Sequence, residues 1–210
     1  MSLDARASGM LRTMAEMQEG HNRQVHPDWR SQGYEYYRAI WVECAELLDH
    51  YGWKWWKHQE ADLDQVKLEI VDIWHFALSD LLRAGTLTDE MAAGLVFEPD
   101  ASRTDPAGFR AAVEALALAT LAARSFVMAP FVDLLKALPM GFDELFRLYV
   151  GKNVLNGFRQ DHGYRTGDYR KVWDGREDNE HLVELMASLE TEPGRYPVTL
   201  YEALKARYPA

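Results

Sequence analysis

Between Asp62 and Arg83, apolar residues fall at Leu63, Val66, Ile70, Ile73, Trp74, Ala77 and Leu81. That spacing holds the 3.6-residue period over about five turns and predicts one long amphipathic helix. Asp62 followed by Gln65 reads as its capping pair, and Gly85 as its stop. A helix of this length needs others to cover its apolar stripe, and the rest of the chain supplies them. Pro27-Asp28 opens a second helix, running to about Tyr51 and closed by Gly52. Asp105-Pro106 caps another that reaches about Arg124. Ala5–Glu19, Phe142–Phe158, Asp178–Leu189 and Pro197–Tyr208 carry further helical patterns. Convincing period-2 strands, internal repeats and low-complexity tracts are absent. The fold class is all-α, a helical bundle of short loops and antiparallel neighbours. Residues 1–210 form a single domain, with the Ala- and Leu-rich stretch 84–141 as a helical insertion or smaller subdomain and a partner interface.

Carboxylates ride on the two predicted central helices in a repeated spacing. Glu43 and Glu46 are three apart on one, and Glu69 and Asp72 three apart on the other. Residues at i and i+3 share a helix face, with Cβ atoms roughly 5–6 Å apart. A loop of about ten residues between the helices suits a hairpin, and antiparallel packing would bring the four carboxylates together. Such a cluster does not stay fully ionised in a low-dielectric cleft without compensation. Hard divalent cations with oxygen ligands supply that compensation, Mg²⁺ or Mn²⁺ foremost.

The net charge is −10, from 23 basic and 33 acidic residues. That argues against general nucleic-acid binding. From Arg147 to Arg176, however, seven basic residues face only three acidic ones, and five glycines fall in the same stretch. Lys152, Asn156 and Arg159 stand at i, i+4 and i+7, a face of N–H donors suited to phosphate oxygens. The glycine-punctuated segment from Gly163 to Lys171 is expected to act as a lid, with residues 160–180 mobile when the site is empty. His75, three after Asp72, shares the carboxylate face. Cys44, the only cysteine, reads as core. No apolar run of about 18 residues is present, so no transmembrane helix is expected. With no apolar signal region at the N-terminus, the setting expected is cytoplasmic.

Taken together, Glu43-Cys44-Ala45-Glu46, Trp53-Lys54-Trp55-Trp56-Lys57, Glu69-Ile70-Val71-Asp72 and Lys152-Asn153-Val154-Leu155-Asn156-Gly157-Phe158-Arg159 resemble the dimeric all-α dUTPases, part of the wider all-α NTP pyrophosphohydrolases. The similarity spans roughly residues 14–83 and 142–182. It implies hydrolysis of dUTP, and of dUDP, to dUMP by a homodimer that binds neither nucleic acid nor membrane, with attack at the β-phosphorus. By the same resemblance Glu43, Glu46, Glu69 and Asp72 hold two or more Mg²⁺ ions, with Mn²⁺ as a substitute, and Glu46 activates water. Lys152, Asn156, Arg159, Tyr164 and Lys171 bind phosphates. Gln18 and Asn22 read the base, since an amide offers one donor and one acceptor edge to uracil. Trp53, His75 and Phe76 line the base and sugar pocket. Two rivals stay open: a related pyrophosphohydrolase acting on another nucleotide such as dCTP, and a non-catalytic dimeric helical interaction protein. A di-iron bundle wants Glu-x-x-His on two helices; Asp72-x-x-His75 is one loose match.

Overall fold

Every long apolar period in the sequence becomes a helix. The computed structural model describes residues 3–100 and 105–209; residues 101–104 of the stretch 84–141 lie outside them. The helices are α1 (Leu3–Val25), α2 (Tyr36–Tyr51), α3 (Leu63–Ala84), α4 (Glu90–Leu95), α5 (Pro106–Ala123), α6 (Met128–Ala137), α7 (Phe142–Asp161), α8 (Asp178–Ser188) and α9 (Tyr196–Arg207). A hairpin too short to show a period in the sequence pairs β1 (Val172–Trp173) with β2 (Arg176–Glu177), Val172 opposite Glu177. The chain is all-α, as expected.

Two boundaries differ from the sequence reading. The helix expected to open at Pro27-Asp28 begins only at Tyr36. Residues Trp29–Ser31 form one 3₁₀ turn instead, and Gly33, at φ +67°, breaks the path with a backbone conformation that costs other residues dearly. Trp29 plugs into the protein there, 1% exposed. The first helix, in contrast, runs past Glu19 and through Gly20-His21 without a break. Its buried stripe of Ala7, Leu11 and Met14 continues at Gln18 and Asn22, so both amides face inward.

α3 is the central element. The Asp62 side chain accepts from Gln65 N–H, and Gly85 ends the helix at φ +67°. Asp62 N–H donates to the His50 carbonyl at 3.0 Å, so the capping box stays half-made and the α2–α3 hairpin is tied at its base. Trp74 of α3 stacks on Phe131 of α6, ring centroids 5.1 Å apart. Buried Asp80 accepts from Phe126 N–H and from Arg83. One continuous apolar cluster reaches from Ala7 of α1 through α5 and α6 to Leu204 of α9, so the 84–141 stretch shares the core of the rest. α5 packs against α2 and α6, yet exposes Leu118 (71%) and Leu121. Among the described residues it is the one helix long and apolar enough to cross a membrane, by length and composition, where the sequence reading expected none.

Candidate active site

The carboxylate cluster follows from the register of the α2–α3 hairpin. His50 meets Asp62 at its base, and seven residues further along each strand of the hairpin Glu43 meets Glu69. One ligand atom each of Glu43, Glu69 and Asp72 lies within 4.8 Å of the others. Glu46 is the exception to the expected convergence of four. It is exposed and stands outside that trio. Antiparallel packing is the reason: Glu46 lies one turn from Glu43 toward the loop, whereas Asp72 lies one turn from Glu69 away from it. Their backbones are therefore separated by about 9 Å along the hairpin axis.

The trio is electrostatically frustrated. Burial first, then the hydrogen bond to Glu69 and the charges of Asp72, Glu46 and Glu69, push Glu43 up to about 7. Burial raises Glu69 as well. Two nitrogen groups approach from the sides. The Lys152 ammonium on α7 is paired with Asp72, and His50 Nε2 is 3.6 Å from Glu69 Oε1. The donor set is all oxygen, with no thiolate or thioether in it; Cys44 is buried in the core, its thiol pushed up to about 12 by burial. A hard divalent cation fits this set, because it replaces the shared proton and neutralises the clustered charge.

Asp72 and Lys152 also line the floor of a cavity of about 890 Å³ between α1, α2, α3 and α7. Of the residues expected at the base and sugar, Gln18, Asn22, His75 and Phe76 line it. Lys152 and Asn156 are its expected phosphate donors, and Arg165, Gln160 and Asn153 also line it, unforeseen. Trp53 is elsewhere. It sits in the α2–α3 loop, half exposed, with Nε1–H donating to Asp49 and its ring edge-on to Trp56.

The other expected phosphate ligands are engaged beyond the cavity lining. Arg159 grips the fully buried Asp178 through Nε (2.8 Å) and Nη2 (2.9 Å), while Tyr169 donates to the same carboxylate. Those bonds hold Asp178 below its usual range despite its burial, and raise Arg159. Lys171 pairs with Glu177, and Tyr164 stands 54% exposed. The expected loose lid is correspondingly short. From Tyr169 onward the segment is packed: Tyr169 stacks on Tyr208, Trp173 is buried, and both gather with Tyr201 around Phe158.

Beside the carboxylates, from one turn further along α3, lies a network of neutral polar groups. Gln18 Oε1 accepts at 2.8 Å from both His75 Nδ1 and the Tyr149 hydroxyl. Gln18 Nε2 donates to Asn22 Oδ1 and Ser79 Oγ, and Asn22 Nδ2 to the same hydroxyl. The Tyr149 hydroxyl is also 3.1 Å from the Met14 carbonyl, and Ser79 Oγ is 3.2 Å from Asn22 Oδ1 and 3.0 Å from the His75 carbonyl. With the Tyr149 hydrogen on Gln18 and the Ser79 hydrogen on His75, the nearer acceptors, Gln18 is fully spent and Asn22 retains one N–H and one lone pair. Burial, with help from the Lys152 and His21 charges, pushes His75 down to about 3, so the ring is neutral.

A cluster of acidic oxygens abutting a nucleotide-sized cavity is what the family comparison then places. A family model described as dUTPase matches residues 10–164, three quarters of the chain. The chain belongs to the dUTPase family. With that membership comes dUTP hydrolysis as its activity, in a metal-dependent family. No curated protein matches the chain. The matched span holds both carboxylate pairs and Lys152, and it ends at Tyr164, before the aromatic packing around Trp173.

Proposed function

We propose that this chain converts dUTP, and dUDP with it, to dUMP with Mg²⁺ as its metal, releasing pyrophosphate or phosphate. The observation that carries the reading is Asp72, which belongs at once to the carboxylate trio and to the cavity floor. Glu43, Glu69 and Asp72, with Glu46, would hold the metal. A line of acid roughly 9 Å long along the hairpin suits two ions better than one. Bound Mg²⁺ supplies Lewis-acid polarisation of phosphate oxygens and acidifies water.

The chain's own groups do the rest. Lys152 and Asn156 donate N–H groups to phosphate oxygens, with the Arg165 guanidinium at the same cavity. Arg159 and Lys171 join them only by loosening Asp178 and Glu177. Glu46, exposed and outside the trio, accepts the proton of the attacking water. The water oxygen joins the β-phosphorus, the bond from that phosphorus to the oxygen bridging it to the α-phosphorus breaks, and dUMP leaves. Asn22 presents an acceptor to uracil N3–H and a donor to O4, and Phe76 packs at the sugar. The apolar face that α5 exposes at Leu118 and Leu121 supports a homodimer.

The test is product release from dUTP, dUDP, dCTP, dTTP and UTP, with Mg²⁺ and with chelator, in ¹⁸O water. Mg²⁺-dependent cleavage of dUTP with the label in pyrophosphate is expected, and is lost in Glu46→Gln. Label in dUMP would move the attack to the α-phosphorus. Preference for dCTP would overturn the base assignment, and cleavage insensitive to chelator would overturn the metal site.

A further inference from the structure

An amide is ambidextrous. Turned over, Asn22 would offer cytosine the pattern it now offers uracil, so selection depends on what forbids the turn. Hydroxyls do not forbid it, since Ser79 and Tyr149 each donate or accept as needed. One group in the network has no such freedom. Asn153 Nδ2 lies 2.9 Å from the backbone carbonyl of Tyr149, which only accepts. That fixes the nitrogen of Asn153, and the same nitrogen lies 3.2 Å from His75 Nε2.

We propose that Asn153 is a positioning residue for base selection, which transmits the polarity of the Tyr149 carbonyl through His75 and Gln18 to Asn22. The proposal rests on the nucleotide reading above. Each link forces the next. A donor against Nε2 makes it the bare nitrogen of a neutral ring, so Nδ1 carries the hydrogen. Nδ1–H faces Gln18 at 2.8 Å and requires its oxygen there. Gln18 then presents its nitrogen to Asn22 at 3.0 Å, which requires the Asn22 oxygen. Turning Asn22 alone would set two N–H donors against each other beside side chains 3% and 1% exposed. Ser79, accepting from both amides and donating to the His75 carbonyl, completes the relay without directing it.

The experiment reads the ring and the substrate separately, on the full-length protein. Long-range ¹H–¹⁵N spectra, with His75 assigned among the seven histidines by a His75→Gln variant, are expected to show Nδ1 protonated and Nε2 bare. In Asn153→Asp the carboxylate demands a hydrogen on Nε2, so that nitrogen becomes protonated. In Asn153→Asp and Asn153→Ala alike, the dUTP-over-dCTP ratio of kcat/KM falls by at least about tenfold, through KM for dUTP, with kcat within about threefold. If the Asp variant does not fold, Asn153→Ser takes its place in the substrate arm, and the wild-type ring spectrum still stands. A hydrogen on Nε2 in the wild type overturns the relay. So does an unchanged dUTP-to-dCTP ratio in the variants. A chain with the expected ring that cleaves neither nucleotide defeats the substrate reading, and the selection role falls with it; cleavage of dUTP with the wrong ring defeats the relay alone.

Discussion

The site has two polar walls, side by side along α3, and they solve opposite problems. Along α2 and α3, carboxylates are crowded so that they disfavour one another, and Lys152 only partly offsets them. Beside them, Gln18, Asn22, Ser79, His75, Tyr149 and Asn153 satisfy one another almost completely, with no net charge. The carboxylate wall is incomplete without a cation; the amide wall is complete without anything. A site that must accept a metal gains from stored repulsion, whereas one that must tell two similar bases apart gains from being fixed beforehand.

The largest effect expected from breaking this contrast is on the charged wall. Glu43→Gln should lower dUTP turnover by about a thousandfold or more, since it removes a ligand for the cation that polarises the phosphate. The same change should raise the melting temperature of the metal-free protein, because it relieves the crowding. Thermal scans in chelator check the second half, and an equal or lower Tm would mean the repulsion is not stored there. On the neutral wall the sign reverses. Ser79→Ala should destabilise the fold by about 1–3 kcal/mol, with Gln18 and Asn22 donors left buried and unpartnered; urea unfolding measures it.

Two smaller effects separate the walls by pH. Glu43 is raised from 4.5 to about 7, so the folded chain holds a proton there that the unfolded chain releases. Its contribution to stability is full below about 4.5 and is lost as pH rises through about 7. Mg²⁺ should therefore raise Tm more at pH 8 than at pH 5.5, and a pH-independent increment would contradict the assignment. His75 behaves in the other direction. Its folded value of about 3 lies below the ordinary 6.5, so the unfolded chain takes up a proton that the folded chain refuses. Stability should fall as pH drops below about 6.5, continuing toward about 3, and His75→Gln should flatten that slope in a Tm-versus-pH series.

The charged wall was legible in the sequence because it is nearly local. Helical period, a three-residue spacing and a hairpin-length loop suffice to bring Glu43, Glu69 and Asp72 together. The exclusion of Glu46 was implicit in the same facts, since antiparallel neighbours send the second member of each pair in opposite directions. The neutral wall was legible only by type. Gln18 and Asn22 stood out through the resemblance, but Gln18's other three partners come from residues 57 to 131 positions away, and no periodicity reports them. Asn153 carried no signal beyond lying in a basic segment. Arg159 read as a phosphate donor because spacing shows a face and not its competitors; Asp178, nineteen residues on, holds it. The break at Gly33 was overlooked because Pro27-Asp28 is a good helix start, and one glycine with a buried tryptophan overrode it.

Phe158 belongs to the family-matched span, yet Tyr169, Trp173, Tyr201 and Tyr208 around it all lie after residue 164, where that span ends. Similarity and cohesion thus draw their borders in different places. A fragment trimmed to the recognisable portion would keep every acidic ligand and strip the last turns of α7 of the rings that hold them. Tyr208, just past α9, is thus a structural neighbour of the phosphate-facing helix, and a substitution there acts within reach of the site.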